Sequence, residues 1–206
     1  VNLTGARNEF VAFQAAIESE TPVKDIAVNV DEPLFVSCKL PPVFQRSGAT
    51  RIYREWMVPD DKDTSEARPW YPDALIPLNG AFDLPAPDNG VPRQRVQPVF
   101  IDIYIPHDAP AGTHHGSISV RAAGQLLRKI GITVEVLPFS LPDQLNFIVD
   151  LNAYGGVNGG YGISRGTPEY HKLLQAYHRV AHLNRANLDV LGYSHSGTVE
   201  PDQAPP

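Results

Sequence analysis

Residues 97–142 constrain this chain more than any other stretch: QPVFIDIYIPHDAPAGTHHGSISVRAAGQLLRKIGITVEVLPFSLP. Side chains alternate in period two through three runs, the pattern of half-buried strands. In 98–105, Phe100, Asp102 and Tyr104 share one face and Ile101, Ile103 and Ile105 the other. Pro106, Pro110 and Gly112 then break the run by removing donors, fixing φ and permitting reversal. A second strand over 114–121 sets Ile118 and Val120 against Ser117 and Ser119. Ala123-Gly124 supplies a hairpin turn into a third strand over 129–137, where Ile130, Ile132, Val134 and Val136 share a face. Three consecutive antiparallel strands with one dry and one wetter face predict a sheet packed on a second sheet.

Other strands fit the same plan. Residues 9–17 alternate Phe10, Ala12, Gln14 and Ala16 against Val11, Phe13, Ala15 and Ile17, which predicts burial on both sides. Short strands are expected over 25–30, over 34–40 and over 51–58. In the 34–40 run Cys38 alternates with Val36 and Leu40, so this single cysteine reads as a buried structural thiol. Between 59 and 94 the pattern is lost. A loop that long inside a compact domain is usually functional or wrapped against a neighbour. Trp70, Tyr71, Leu75 and Ile76 make it too apolar for a free linker and are expected to pack on something.

After Phe139-Ser140-Leu141-Pro142-Asp143 the period changes. A strand over 146–154 leads into a flexible glycine-rich loop over 155–162. Thr167 as N-cap and Pro168 at the first helical position then open a helix. Tyr170, Leu173, Leu174, Tyr177, Val180 and Ala181 form its apolar stripe, and a second strand follows over 188–193. Strand, helix, strand is one parallel crossover unit, and one such unit does not close a core. The fold class expected is therefore mainly β: an antiparallel β-sandwich over 1–143, then over 144–206 a β-α-β segment resembling the truncated start of a (β/α)8 barrel.

Charge excludes some functions. Seventeen basic and 23 acidic residues give a net charge of −6, with no basic run, so nucleic acid is not an expected partner. No stretch reaches the roughly 18 apolar residues of a membrane span, so no membrane partner is expected either. The chain starts at Val1, which suggests processing or trimming; a secreted or periplasmic place is expected, with the cytoplasm left open.

Several segments together resemble the N-terminal half of glycoside hydrolase family 123. They are Ala6-Arg7-Asn8-Glu9-Phe10 leading into Phe13-Gln14; Trp70-Tyr71-Pro72-Asp73-Ala74-Leu75-Ile76-Pro77; Asp102-Ile103-Tyr104-Ile105-Pro106 with Asp108-Ala109-Pro110-Ala111-Gly112-Thr113 and Gly116; Phe139-Ser140-Leu141-Pro142; and Tyr177-His178-Arg179-Val180-Ala181-His182 with Arg185. The resemblance implies a sandwich followed by a barrel that hydrolyses β-linked N-acetylgalactosamine. The substrate's acetamido oxygen attacks the sugar carbon, one carboxylate orients that group, and a neighbouring Glu protonates the leaving oxygen. The family's adjacent Asp-Glu pair lies on a later barrel strand. Asp31-Glu32, the one adjacent Asp-Glu here, precedes Pro33 and reads as a solvated sandwich turn. No catalytic residue is therefore assigned to these residues.

Active sites of α/β barrels sit at the carboxyl ends of the strands. Asp150, Asn152 and Tyr154 alternate with Val149, Leu151 and Ala153 on the first barrel-like strand, and Tyr193 and His195 stand at equivalent height on the second. Those five are the candidate substrate-binding residues, with a glycan as partner. The bland alternative is that they fill the interior or stabilise strand ends. His171, His178 and His182 lie along one helix flank, but Arg179 stands where a zinc protease has its Glu, and no metal or cofactor is expected. His114 and His115 point to opposite faces of a strand. No phosphate loop is present, and no serine lies in a Gly-x-Ser-x-Gly context. Trp56, Trp70 and Tyr71 read as packing residues before sugar-stacking ones. The alternative function is a non-catalytic carbohydrate-binding or assembly module, and an incomplete barrel surface invites self-association.

Overall fold

The computed structural model describes residues 1–44, 48–60, 62–65, 68–143, 149–154 and 156–191. The chain divides into two compact units, Val1–Leu141 and Pro142–Pro206.

The first unit holds nine strands in two sheets. Their order is β1 (Asn2–Arg7), β2 (Glu9–Glu18), β3 (Val23–Glu32), β4 (Thr50–Pro59), β5 (Trp70–Pro77), β6 (Phe82–Leu84), β7 (Val96–Ile105), β8 (Gly112–Ala122) and β9 (Gln125–Ser140). One sheet runs β1-β9-β8-β3-β6 and the other β2-β7-β4-β5. The four-stranded sheet is antiparallel throughout. In the five-stranded sheet β1 runs parallel to β9, with Asn2 opposite Thr133 and Gly5 opposite Val136. The unit is mainly β, as its alternation predicted. Both sheets face one apolar core, to which Val99, Ile101, Ile103 and Ile105 contribute from β7 and Ile118, Val120, Ile132, Val134 and Val136 from β8 and β9.

Four sequence expectations change here. The runs read as three consecutive antiparallel strands divide between the sheets: β8 pairs with β9, but β7 pairs with β2 and β4. The connection through Pro106 and Ala109 carries the chain across the core, and Arg7 Nε pins it by donating to the Ala109 carbonyl at 2.7 Å. Alternation identifies a buried face but not which of two sheets owns the strand. Residues 34–40 form turns rather than a strand. Phe35 has φ +57° there, Leu34 and Phe35 are buried, and Val36 is 74% exposed. Cys38 is consequently half-buried, and burial beside the Asp108 charge raises its thiol pKa. Segment 59–94 is not one long loop: it contains β5 and β6. Pro72 and Pro77 hide β5 from a pattern search, yet an edge strand tolerates them. Finally, Asp31 and Glu32 end strand β3 rather than sitting in a turn, where Ser119 Oγ donates to Asp31 and Lys129 pairs with Glu32.

Two turns follow their sequence chemistry. Ala123 (φ +46°) and Gly124 (φ +78°) close the β8–β9 hairpin with the double positive φ of a type I′ turn. At Gly116 an added Cβ would lie 2.8 Å from the Glu32 carbonyl oxygen, so only glycine fits where the chain leaves β3.

The second unit contains β10 (Asp150–Tyr154), α1 (Pro168–Leu183) and β11 (Asn187–Leu191). The strands pair in parallel, so helix α1 is the crossover. Thr167 caps the helix as its sequence predicts: its Oγ1 accepts from the Tyr170 N–H at 3.2 Å, and Pro168 occupies the first turn. Of the apolar stripe Tyr170 and Ala181 are buried, while Val180 is 60% exposed. No helix among the described residues is long and apolar enough to cross a membrane.

Candidate functional site

Register builds the site in the second unit. Asp150 stands opposite Asn187, Asn152 opposite Asp189, and Tyr154 opposite Leu191. Register partners on parallel strands lie side by side, about 4.8 Å apart, and point to the same face. Asp150, Asn152, Asn187 and Asp189 therefore share one face, and all four are exposed. Leu151, Ala153, Leu188 and Val190 share the other. Ala153, Leu188 and Val190 are partly covered, as expected for the side on which α1 meets β11.

Two sequence-predicted residues, Asp150 and Asn152, thus lie on one exposed polar face. Tyr154 is the last residue of β10, at the carboxyl end where the loop begins. Tyr193 and His195 lie outside the described residues. Asn187 and Asp189 were missed in the sequence reading. The Asn-Leu-Asp-Val-Leu pattern of β11 alternates as β10 does, but only the register shows that the two polar rows coincide.

The segment after β10 is a series of turns braced against one another. Asn158 Nδ2 donates to the Ile163 carbonyl at 2.8 Å, and Val157 is buried. Gly156 takes φ +100°, and a Cβ there would meet Arg165 Nη2 at 2.9 Å. The hydroxyls of Tyr161 and Tyr177 lie 2.9 Å apart, and this hydrogen bond is the main cause of the raised Tyr177 pKa. His171, His178 and His182 are exposed, and among the described residues no group of three His, Cys, Asp or Glu side chains gathers as metal ligands.

In the first unit the polar interior braces the scaffold. Gln97 is fully buried; its Nε2 donates to the carbonyls of Glu55 (2.8 Å) and Pro98 (2.9 Å), and its Oε1 accepts from Gln94 (3.1 Å). Asn89 donates to Met57 O and accepts from Met57 N, both at 2.8 Å, where the β4–β5 register shifts. Arg54 makes a two-pronged pair with Asp88, with Nη1 to Oδ1 at 3.0 Å, and lies 5.5 Å from the Trp56 ring. Arg51 pairs with Asp102 and lies over the rings of Phe10 (5.2 Å) and Phe44 (4.8 Å). Burial raises the Asp102 pKa, and Arg51 opposes that shift. Between the sheets opens a groove of about 280 Å³ whose lining includes Val30, Leu34, Phe35, Leu40, Ala49 and Thr50, none of them titratable. Of the residues expected to pack from the 59–94 segment, Trp70 is half-buried, but Tyr71 (53%), Leu75 (43%) and Ile76 (40%) lie exposed on edge strand β5.

Comparison with known proteins bears on the fold. No family model and no curated protein sequence matches the chain. A solved family 123 glycoside hydrolase from Clostridium perfringens, studied for glycolipid glycan hydrolysis, superposes with a TM-score of 0.64 at 16% identity over 88% of this chain. The fold matches part of a glycoside hydrolase. This chain spans 31% of that protein's length. The N-terminal domain of PorA matches 68% of this chain and 88% of its own at 11% identity, with a TM-score of 0.29, too low to argue from.

Proposed function

We propose that this chain is the N-terminal region of a glycoside hydrolase of the family 123 kind. The sandwich serves as a non-catalytic buttress, and the parallel β-α-β segment begins the catalytic (β/α)8 barrel. The observation that carries the reading is the superposition over 88% of the chain. Coverage that wide exceeds the first unit and reaches the parallel crossover. The segments that resemble family 123 support the same reading.

The substrate proposed is a β-linked N-acetylgalactosaminide. Its acetamido oxygen displaces the leaving group, a carboxylate holds the acetamido group, and a Glu delivers the proton. That pair belongs to a later barrel strand, so the residues here bind and position. A glycan substrate fits a secreted or periplasmic protein.

The test is hydrolysis of a chromogenic N-acetyl-β-galactosaminide by the longer protein that contains this region. Release of the chromophore with retention at the anomeric carbon is expected. No turnover of any N-acetylated β-glycoside overturns the reading. In that event the module alternative gains, favoured by the exposed Tyr71, Leu75 and Ile76 of β5.

A further inference from the structure

We infer that Asn152 and Asp189, flanked by Asp150 and Asn187, form a hydroxyl-binding grid that grips neighbouring hydroxyls of a sugar ring. The inference deepens the glycoside hydrolase reading and adds Asp189 and Asn187 as specificity residues.

Three observations carry it. Parallel sheets are normally covered on both faces and read as apolar on both. Here the face away from the apolar one reads Asp150 and Asn152 on β10, Asn187 and Asp189 on β11. Asp and Asn are also among the poorest strand formers. Four of them at adjoining strand positions work against local preference, and such conflicts concentrate at functional sites. The arrangement is also not a plain acidic patch. Each carboxylate has an amide as its lateral partner, so the two Asp residues lie diagonally across the grid.

That checkerboard suits a diol. A carboxylate accepts hydrogen bonds only, whereas an amide both donates and accepts. A sugar hydroxyl has one proton to give and lone pairs to receive. With an amide and a carboxylate about one strand spacing apart, adjacent hydroxyls each meet a matching group. A divalent cation is the competing occupant: the grid offers two carboxylates, and among the described residues no three His, Cys, Asp or Glu side chains gather.

The test is titration of the longer protein that contains this region with N-acetylgalactosamine and with galactose, followed by backbone amide shifts in β10 and β11. Binding by the unaltered chain is expected, with at least a tenfold loss in Asp189→Ala. Asp189→Asn, which keeps the shape and one acceptor oxygen, should recover part of that loss, which a merely structural role would not require. Gln125→Ala, exposed at the start of β9, serves as the unaffected control. Should Asp189→Ala disturb the fold, the milder Asp189→Asn carries the comparison alone, with a severalfold loss expected. Binding unchanged within twofold in the variants overturns the grid while leaving the hydrolase reading intact. A chain whose β10 and β11 amides respond to neither sugar also overturns it, and hydrolysis by the longer protein still judges the reading separately. Shifts that require added calcium overturn it in favour of a metal site.

Discussion

Replacing Gln97 with leucine tests whether the buried amides fasten the 85–95 segment to β4. Gln97 has no exposure, so water cannot replace its partners. The change removes donation to the Glu55 and Pro98 carbonyls and acceptance from Gln94. Gln94 keeps its bond to the Val96 carbonyl, so the largest cost falls on the Glu55 oxygen. Three hydrogen bonds at about 1 kcal/mol net each suggest roughly 3 kcal/mol, and a stranded buried carbonyl tends to raise that figure. Leucine has similar volume, and its apolar burial offsets about 1 kcal/mol. A net loss of about 2–3 kcal/mol corresponds to a fall in Tm of roughly 8–12 °C for a unit of this size. Thermal unfolding followed by circular dichroism reads it directly, with the exposed Gln125→Leu as control. A fall of less than about 3 °C, near the lower bound for 1 kcal/mol, refutes the reasoning. It would mean that packing, not the amides, holds this segment.

Gly116→Ala should cost about 1–3 kcal/mol, because the new methyl meets the Glu32 carbonyl oxygen and Leu34 Cγ, each at 2.8 Å; an unchanged urea midpoint would contradict this. Asp88→Asn should show a pH-dependent effect. The Arg54 hydrogen bond holds the Asp88 carboxyl below its ordinary pKa, so its contribution is present above the unfolded-state value. The gap in urea midpoint between wild type and variant should therefore be seen at neutral pH and close as pH falls through the native pKa. Asp88 is 55% exposed, which keeps the effect small and salt-sensitive. A gap that persists in strong acid would show that the lost interaction is not the charge.

Much of the fold was legible because burial imposes period two on strands and helical spacing on α1. Ile101, Ile103 and Ile105 announce β7, and Thr167-Pro168 announces the helix start. The failures have physical causes. Leu34, Val36, Cys38 and Leu40 alternate by coincidence on turns, with Phe35 in the left-handed region rather than extended. Strand β5 was hidden because an edge strand needs only one hydrogen-bonded side and so admits prolines. Sheet membership escaped because β7 and β8 have the same pattern whichever layer holds them.

The candidate site divides along the same line. Within one strand, alternation places Asp150 and Asn152 on a common face, and the sequence suffices. Between strands it does not, because a slip of one residue turns every side chain of β11 to the opposite face. With Asn152 beside Leu188 or Val190, polar and apolar rows would mix and no face would suit a polyol. With Asn152 beside Asp189, the polar row is continuous across both strands. Helix α1 favours this register, because Leu188 and Val190 must reach its apolar side together with Ala153. Hydrophobic packing on one face of the sheet thereby aligns the hydrogen-bonding groups on the other. Asp189 takes its place through the partial burial of its neighbours, Leu188 and Val190, so the proposed recognition residue is positioned by contacts it does not make.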